Sequence, residues 1–281
     1  MKRINVLSLF DGMSCGQIAL ERAGIPVENY FASEIDKYAI QITQKNYPDT
    51  IQLGDVTKVY GKDLPEIDLL IGGSPCQGFS FAGKGLNFDD PRSKLFFEFV
   101  RLKNELEPEH FLLENVNMKK EYKDIISNEL GVEPILLDSS LVSAQSRKRM
   151  YWTNIPIKSI ADKGIVMDDI VEDGYYSTRD KSYCIDANYG KGTNFRRYFY
   201  CGSRQLVLEN SYVPSLLSKE TANDIMHMDG NRWRKLSVLE CERLQTVPEN
   251  YTEGTPAIQQ YKMLGNGWTV DVISHIFISM K

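Results

Sequence analysis

The stretch Ile67-Asp68-Leu69-Leu70-Ile71-Gly72-Gly73-Ser74-Pro75-Cys76-Gln77-Gly78-Phe79-Ser80 decides how this chain reads. An apolar run, Ile67 to Ile71, stops at two glycines. A proline-restrained turn then presents one cysteine ahead of a glycine-bearing segment that extends to about Pro91. A run that is apolar on both faces predicts a central strand of a parallel sheet, and in open α/β sheets ligands bind just beyond the carboxyl ends of such strands. Cys76 would stand at that rim, where a thiol can act as a nucleophile. A free cysteine taken alone is more often a small buried hydrophobe, so its surroundings must carry the argument.

Upstream of this stretch, strand and helix signals alternate. Ile4–Phe10 predicts a buried strand, followed by a turn at Asp11-Gly12 and a helix to Ala23, with Ser14 as its N-cap and Gly24 closing it. Tyr30–Ser33 predicts a short strand ending at Glu34. Asp36–Asn46 predicts a helix stopped by Pro48, and Ile51–Leu53 a strand ending at Gly54-Asp55. Downstream, Ser93–Leu106 carries apolar residues at mostly helical spacing, His110–Val116 reads as a strand ending in Glu114-Asn115-Val116, and Pro134–Leu137 and Met150–Thr153 as two more. This rhythm predicts an α/β fold with a doubly wound, mostly parallel sheet over residues 1–156.

From Ile157 to Arg234 the rhythm fails, and short tyrosine-rich, glycine-broken segments predict a small irregular or β-containing subdomain. Over 235–281 the helical pattern returns: Ser237 caps a helix running to Gln245 before Pro248, and an apolar helix over Val270–Met280 goes back to the first domain.

With 42% hydrophobic and 25% charged residues and no apolar run near membrane-span length, a soluble protein without membrane association is expected. The N-terminus passes straight into a strand, so no signal peptide is expected. Five widely spaced cysteines point to a reduced cytoplasmic compartment, with no disulfide framework and no metal site. A net charge of −5 argues against coating nucleic acid by bulk charge. Locally, Lys191–Arg204 interleaves Lys191, Arg196, Arg197 and Arg204 with four aromatics and no acid, which suits either phosphate contact or a solvated hairpin.

The strand ends carry the chemistry. Phe10-Asp11-Gly12-Met13-Ser14-Cys15-Gly16 leads into a helix N-terminus without the spacing of the dinucleotide fingerprint, which disfavours hydride transfer. Glu34 could accept from both hydroxyls of a ribose, Asp55 from an exocyclic amine, and Asp11 would face a cation. A nucleoside with a positively charged tail, such as S-adenosylmethionine, suits three carboxylates better than a pyrophosphate. Cys76 and Glu114 end neighbouring strands, a thiol and a carboxyl that could work across one pocket. In Gln145-Ser146-Arg147-Lys148-Arg149, alternation puts Arg147 and Arg149 on one side, able to fork a phosphate or a polarised carbonyl oxygen; a solvated basic loop is the other reading.

Taken in order, these motifs resemble the DNA (cytosine-5) methyltransferases. The resemblance rests on Phe10-Asp11-Gly12 with Gly16, Glu34, Asp55, Pro75-Cys76-Gln77, Glu114-Asn115-Val116, Gln145 to Arg149, Leu236-Ser237 with Glu240, Arg243, Leu244 and Gln245, and Gly265-Asn266. It covers nearly the whole chain apart from about 157–234, which it implies is the target-recognition segment. It implies that Cys76 adds to carbon 6 of cytosine and that Glu114 holds ring nitrogen 3 and the amino group. Arg149 would grip the base oxygen, and Arg147 would support the catalytic loop and its cysteine. Phe10, Asp11, Gly12, Gly16, Glu34, Ile35, Asp55, Val56, Pro75, Leu95 and Asn266 would form the cofactor pocket, with S-adenosylhomocysteine as product. Gln77–Arg92 would be a loop closing over flipped DNA. Gln77, Ser80, Arg92, Arg196, Arg197, Arg204, Arg232, Trp233 and Arg234 would contact double-stranded DNA. A monomer associated with the nucleoid is expected, with a cognate restriction endonuclease as a candidate partner.

Two positions depart from the family pattern. Gly267 stands where a serine is usual after the glycine-asparagine pair, and Ser14-Cys15 replaces a glycine pair. RNA methylation by the same chemistry stays open, as does a catalytically silent DNA-binding homologue, although the Cys-Phe-Thr stretch of the tRNA-directed relatives is absent.

Overall fold

The computed structural model of the chain describes residues 2–74, 91–191, 204–210 and 233–281, with side chains of the second stretch described from residue 94. The chain divides into two compact units. One comprises Met1–Asp138, Lys148–Ser159 and Val270–Lys281; the other comprises Ser139–Arg147 and Ile160–Thr269.

The first unit is built on a seven-stranded sheet of β1 (Ile4–Leu9), β2 (Val27–Ser33), β3 (Ile51–Gln52), β4 (Leu69–Gly72), β5 (His110–Val116), β6 (Ile135–Asp138) and β7 (Lys148–Thr153). Its order is β3-β2-β1-β4-β5-β7-β6. Pairs from β3 through β5 are parallel, while β7 runs antiparallel to both β5 and β6. The alternation of side chains divides the two faces. Leu7, Leu9, Phe31, Leu70, Phe111, Leu113 and Trp152 join one core cluster with Phe96, Phe99 and Leu102 of α3 (Pro91–Leu106) and Ile126 and Leu130 of α4 (Lys120–Leu130). The opposite face carries Val6, Ser8, Tyr30 and Ile71, and receives α1 (Cys15–Ala23), against which the C-terminal α7 (Val270–Phe277) packs. With α2 (Lys37–Asn46) also following β2, the doubly wound, mostly parallel sheet expected from the sequence is present.

Local signals explain most boundaries. Gly24 closes α1 in a left-handed conformation, and Asp36 caps α2 by accepting from the Tyr38 N–H at 3.0 Å. Ser14 does not cap α1 as the sequence suggests. It occupies the N-cap position with φ 59°, makes no capping bond, and its hydroxyl donates to Asp11 instead. The short strand expected at Tyr30–Ser33 begins earlier, at Val27, because register with β1 extends back to Ile4.

The second unit holds a three-stranded antiparallel sheet of β8 (Tyr175–Tyr176), β9 (Leu206–Glu209) and β10 (Trp233–Lys235), in the order β10-β9-β8, together with α5 (Val238–Leu244) and α6 (Ala257–Asn266). Ser237 caps α5 in a capping box, its Oγ accepting from the Glu240 N–H at 3.2 Å while the Glu240 carboxylate accepts from the Ser237 N–H at 2.7 Å. The units divide differently from the sequence expectation. Ser139–Arg147 and residues 235–269 group with the middle segment, and of the C-terminal stretch only Val270–Lys281 joins the first unit.

Candidate active site

The first turn, between β1 and α1, is shaped by three left-handed residues: Phe10 (φ 58°), Gly12 (φ 61°) and Ser14 (φ 59°). Only glycine adopts this region without strain. Asp11, expected to face a cation, faces hydroxyls: its Oδ1 accepts from Tyr30 Oη at 2.8 Å, and its Oδ2 accepts from Ser14 Oγ. Burial pushes the Asp11 carboxyl up to about 6, against the opposing hydrogen bonds of Ser14, Ser8 and Tyr30, and Glu34 adds to the rise. Gly16 is required by space, since a Cβ there would lie 2.5 Å from Ile71 Cδ1 and 2.7 Å from Tyr30 Oη.

Glu34, at the end of β2, reaches across to this turn. Its Oε2 accepts from the Gly12 N–H at 2.8 Å, and its Oε1 accepts from the N–H groups of Ile35 (2.7 Å) and Asp36 (2.8 Å). The carboxylate is thus fixed by three backbone donors. Beside it Ile35 is 78% exposed, the largest exposure among the large hydrophobics described, so a flat apolar ligand could cover it. Asp55 follows β3 and accepts from Thr57 N–H (3.0 Å) and Oγ1 (2.9 Å) through one oxygen; the Thr57 backbone bond, first among these contacts, holds its carboxyl below the usual range. Val56 lies in the core and Leu95 packs against it, so these two supply shape rather than polar groups. Pro75 lies outside the described residues.

The end of β5 carries the second group. Glu114 stands opposite Tyr151, while Arg149 stands opposite Val116 two residues along, so the antiparallel register places Glu114 and Arg149 diagonally on one face. Arg149 Nε lies 3.0 Å from Glu114 Oε1, with the Glu114 residue only 8% exposed. On the other face Asn115 Nδ2 donates to Ser74 Oγ (3.0 Å) and to the Ser74 carbonyl (3.3 Å). That tether holds the chain two residues before Cys76, which itself lies outside the described residues, as do Gln77 and Ser80.

Arg147 and Arg149 fall in different units, whose boundary lies between Arg147 and Lys148. Arg147 belongs to the second unit, 4% exposed, where Nη1 donates to the Ile185 carbonyl (3.0 Å) and Nη2 to the carbonyls of Gly265 (3.1 Å) and Gly267 (2.9 Å). Its fork therefore holds protein carbonyls, and neither the phosphate fork nor the solvated-loop reading describes it. Gln245 Nε2 also donates to the Gly267 carbonyl, at 3.2 Å. The carbonyls flanking Asn266 are thereby pinned while Asn266 stays exposed.

Two proposed DNA contacts are likewise engaged within the second unit. Both terminal nitrogens of Arg234 donate to Glu240 (2.7 and 2.8 Å), and its guanidinium lies 4.0 Å from the Tyr175 ring. Arg204 donates to the Lys191 carbonyl at 2.7 Å and lies 3.6 Å from Asp186. These arginines hold the subdomain together through their own contacts. Trp233 is half-buried and pairs with Leu208. Arg196, Arg197 and Arg232 lie outside the described residues, and of Arg92 only the backbone, in α3, is described. Sequence reasoning missed Tyr30 and Asn115 as site-building residues. The pattern that could have shown Tyr30 is its place two residues before Ala32 on the face that β2 turns toward α1.

Comparison with known proteins bears on this arrangement. The Type II methyltransferase M1.ScrFI of Lactococcus lactis subsp. cremoris is 32% identical over 307 aligned residues, spanning 98% of this chain and 77% of that protein. The Type II methyltransferase M.SsoII of Shigella sonnei is 28% identical, over 98% of this chain and 79% of its own. Among solved structures, the Entamoeba histolytica methyltransferase EhMeth superposes with a TM-score of 0.78 over the whole of both chains at 20% identity, a likeness of fold. C-5 cytosine-specific DNA methylases match residues 4–164 and 169–281, nearly the full length, and the chain belongs to that family.

Proposed function

We propose that this DNA cytosine-5 methyltransferase acts on a flipped-out cytosine in a specific duplex site, with Cys76 as a transient covalent nucleophile and S-adenosylmethionine as methyl donor. Membership of the family supports the reaction class. The observation that carries the residue assignment is the Glu114–Arg149 pair at the end of β5, beside the Asn115–Ser74 tether that leads to Cys76.

The side chains suit the cofactor: a carboxylate acceptor fixed at Glu34, a second at Asp55, and the exposed Ile35 as a place for an adenine ring. Bound there, the cofactor supplies an electrophilic methyl group. The protein's part is to make cytosine carbon 5 nucleophilic. The Cys76 thiolate bonds to carbon 6, and the electrons of the 5,6 double bond are drawn toward ring nitrogen 3, where the Glu114 carboxyl holds or delivers a proton. Carbon 5 then takes the methyl, loses its proton to a base, and the carbon–sulfur bond breaks to restore both the ring and the thiolate. Arg149 keeps Glu114 oriented through their 3.0 Å contact. The cytosine must leave the duplex for the sulfur to approach carbon 6. In the same reading the chain works in the cytoplasm at the nucleoid as a monomer, with a cognate restriction endonuclease as partner.

The test is transfer of a labelled methyl group to duplex DNA or to RNA by the purified chain, followed by digestion to nucleosides. Label in 5-methyldeoxycytidine supports the proposal, label in RNA alone would replace the substrate, and no label would withdraw catalysis.

A further inference from the structure

We infer that Tyr30 is a positioning residue for the cofactor, fixing through Asp11 the Phe10–Ser14 turn that receives it. The inference rests on the function proposed above. Tyr30 sits on β2 opposite Val6, 4% exposed, on the face that α1 covers. Its hydroxyl reaches Asp11 Oδ1 at 2.8 Å, and the other Asp11 oxygen accepts from Ser14, so one carboxylate bridges the strand and the far end of the turn.

The turn needs this brace. Phe10 and Ser14 hold left-handed backbone conformations that L-residues rarely adopt, and such conformations persist only where the surroundings over-determine them. The backbone contributes Asp11 N–H to the Ser33 carbonyl (3.2 Å), Ser14 N–H to the Asp11 carbonyl (3.2 Å) and Gly12 N–H to Glu34 (2.8 Å). From the other side, Ser14 Oγ is 3.2 Å from both Thr43 Oγ1 and Gln17 Nε2, and Gln17 donates onward to Thr50 Oγ1 at 2.8 Å. Tyr30 closes the array, because the same hydroxyl lies where a Cβ on Gly16 would have to go. It therefore sets both the turn, through Asp11, and the seat of the first helical residues. A ligand bound against the backbone of this turn and the fixed Glu34 carboxylate depends on a geometry that Tyr30 maintains without touching the ligand itself.

The test is Tyr30→Phe, which removes one oxygen and leaves the ring. Calorimetry with S-adenosylhomocysteine is expected to show about a tenfold rise in Kd, as for loss of one hydrogen bond to a charged group. Steady-state kinetics should show the same rise in cofactor KM, with kcat at saturating cofactor and the KM for DNA within about twofold of wild type. Ser14→Ala should move Kd in the same direction, and it decides the matter if Tyr30→Phe does not fold. In an Asp11→Leu background Tyr30→Phe should add less than about twofold, because the two act through one bond. Wild-type affinity in both Tyr30→Phe and Ser14→Ala, or a fall in kcat with Kd unchanged, overturns the inference. A wild-type chain that binds no S-adenosylhomocysteine overturns instead the functional reading on which it rests.

Discussion

At the scale of single residues, Glu114 and Asp11 are two carboxyls put to different uses by their surroundings. Glu114 is paired with Arg149 at 3.0 Å and stands at a strand end. Glu114→Gln keeps the shape but removes the charge and the proton it can deliver. We expect kcat to fall by at least about a hundredfold with the S-adenosylhomocysteine Kd unchanged, the signature of a group that acts on the base. A Kd that rises in parallel would place Glu114 in the cofactor pocket instead. Among the described residues Asp11 has no such partner, and burial pushes its carboxyl from 3.8 up to about 6. The folded chain therefore binds this proton more tightly than the unfolded chain does. The benefit is full below about pH 4 and is lost as pH rises through 6, which leaves an ionised Asp11 costing up to about 3 kcal/mol at neutral pH. Asp11→Asn should then be more stable than wild type in urea at pH 7.5, with the gain vanishing near pH 4. An equal gain at both values would mean that charge is not the cause. Glu114 and the acidic ends of β2 and β3 were legible as residue types at strand ends, but Tyr30 was not, since a tyrosine in a strand reads as core.

At the scale of elements, the clear readings were those with one strong signal. His110–Val116 is a strand over its full expected length because its interior is buried around the apolar run Phe111 to Leu113, and α5 starts where its capping box says. Ser237→Ala should cost about 1 kcal/mol in chemical denaturation by leaving the Glu240 N–H without its acceptor. No change in midpoint would show that the Glu240 side of the box suffices. Two helices gave no such signal and went unread. In α4 only Ile126, Ser127 and Leu130 are buried, too thin an apolar stripe to stand out from a charged sequence. In α6 only Met263, Leu264 and Gly265 are buried, and the helix ends on a Gly-Asn pair that reads as a turn. The basic motif 145–149 also misled, because alternation holds only within a strand and β7 begins at Lys148. Arg147 lies before that start and turns to carbonyls that only tertiary structure brings to it.

At the scale of the whole molecule, the sequence order of the motifs was sufficient to identify the family, whereas the division of the chain into units was not readable from it. Contacts between residues far apart in sequence, such as Ser143 Oγ to the Leu244 carbonyl at 2.6 Å, assign Ser139–Arg147 to the second unit. No local pattern announces such contacts. The central claim is that this chain methylates cytosine in DNA through Cys76. Bisulfite sequencing of host DNA after expression of the wild-type chain or of Cys76→Ala tests it most directly. We predict conversion-resistant cytosines at one recurring sequence with wild type and none with the variant. Resistant cytosines at equal frequency in both, or in neither, would contradict the account.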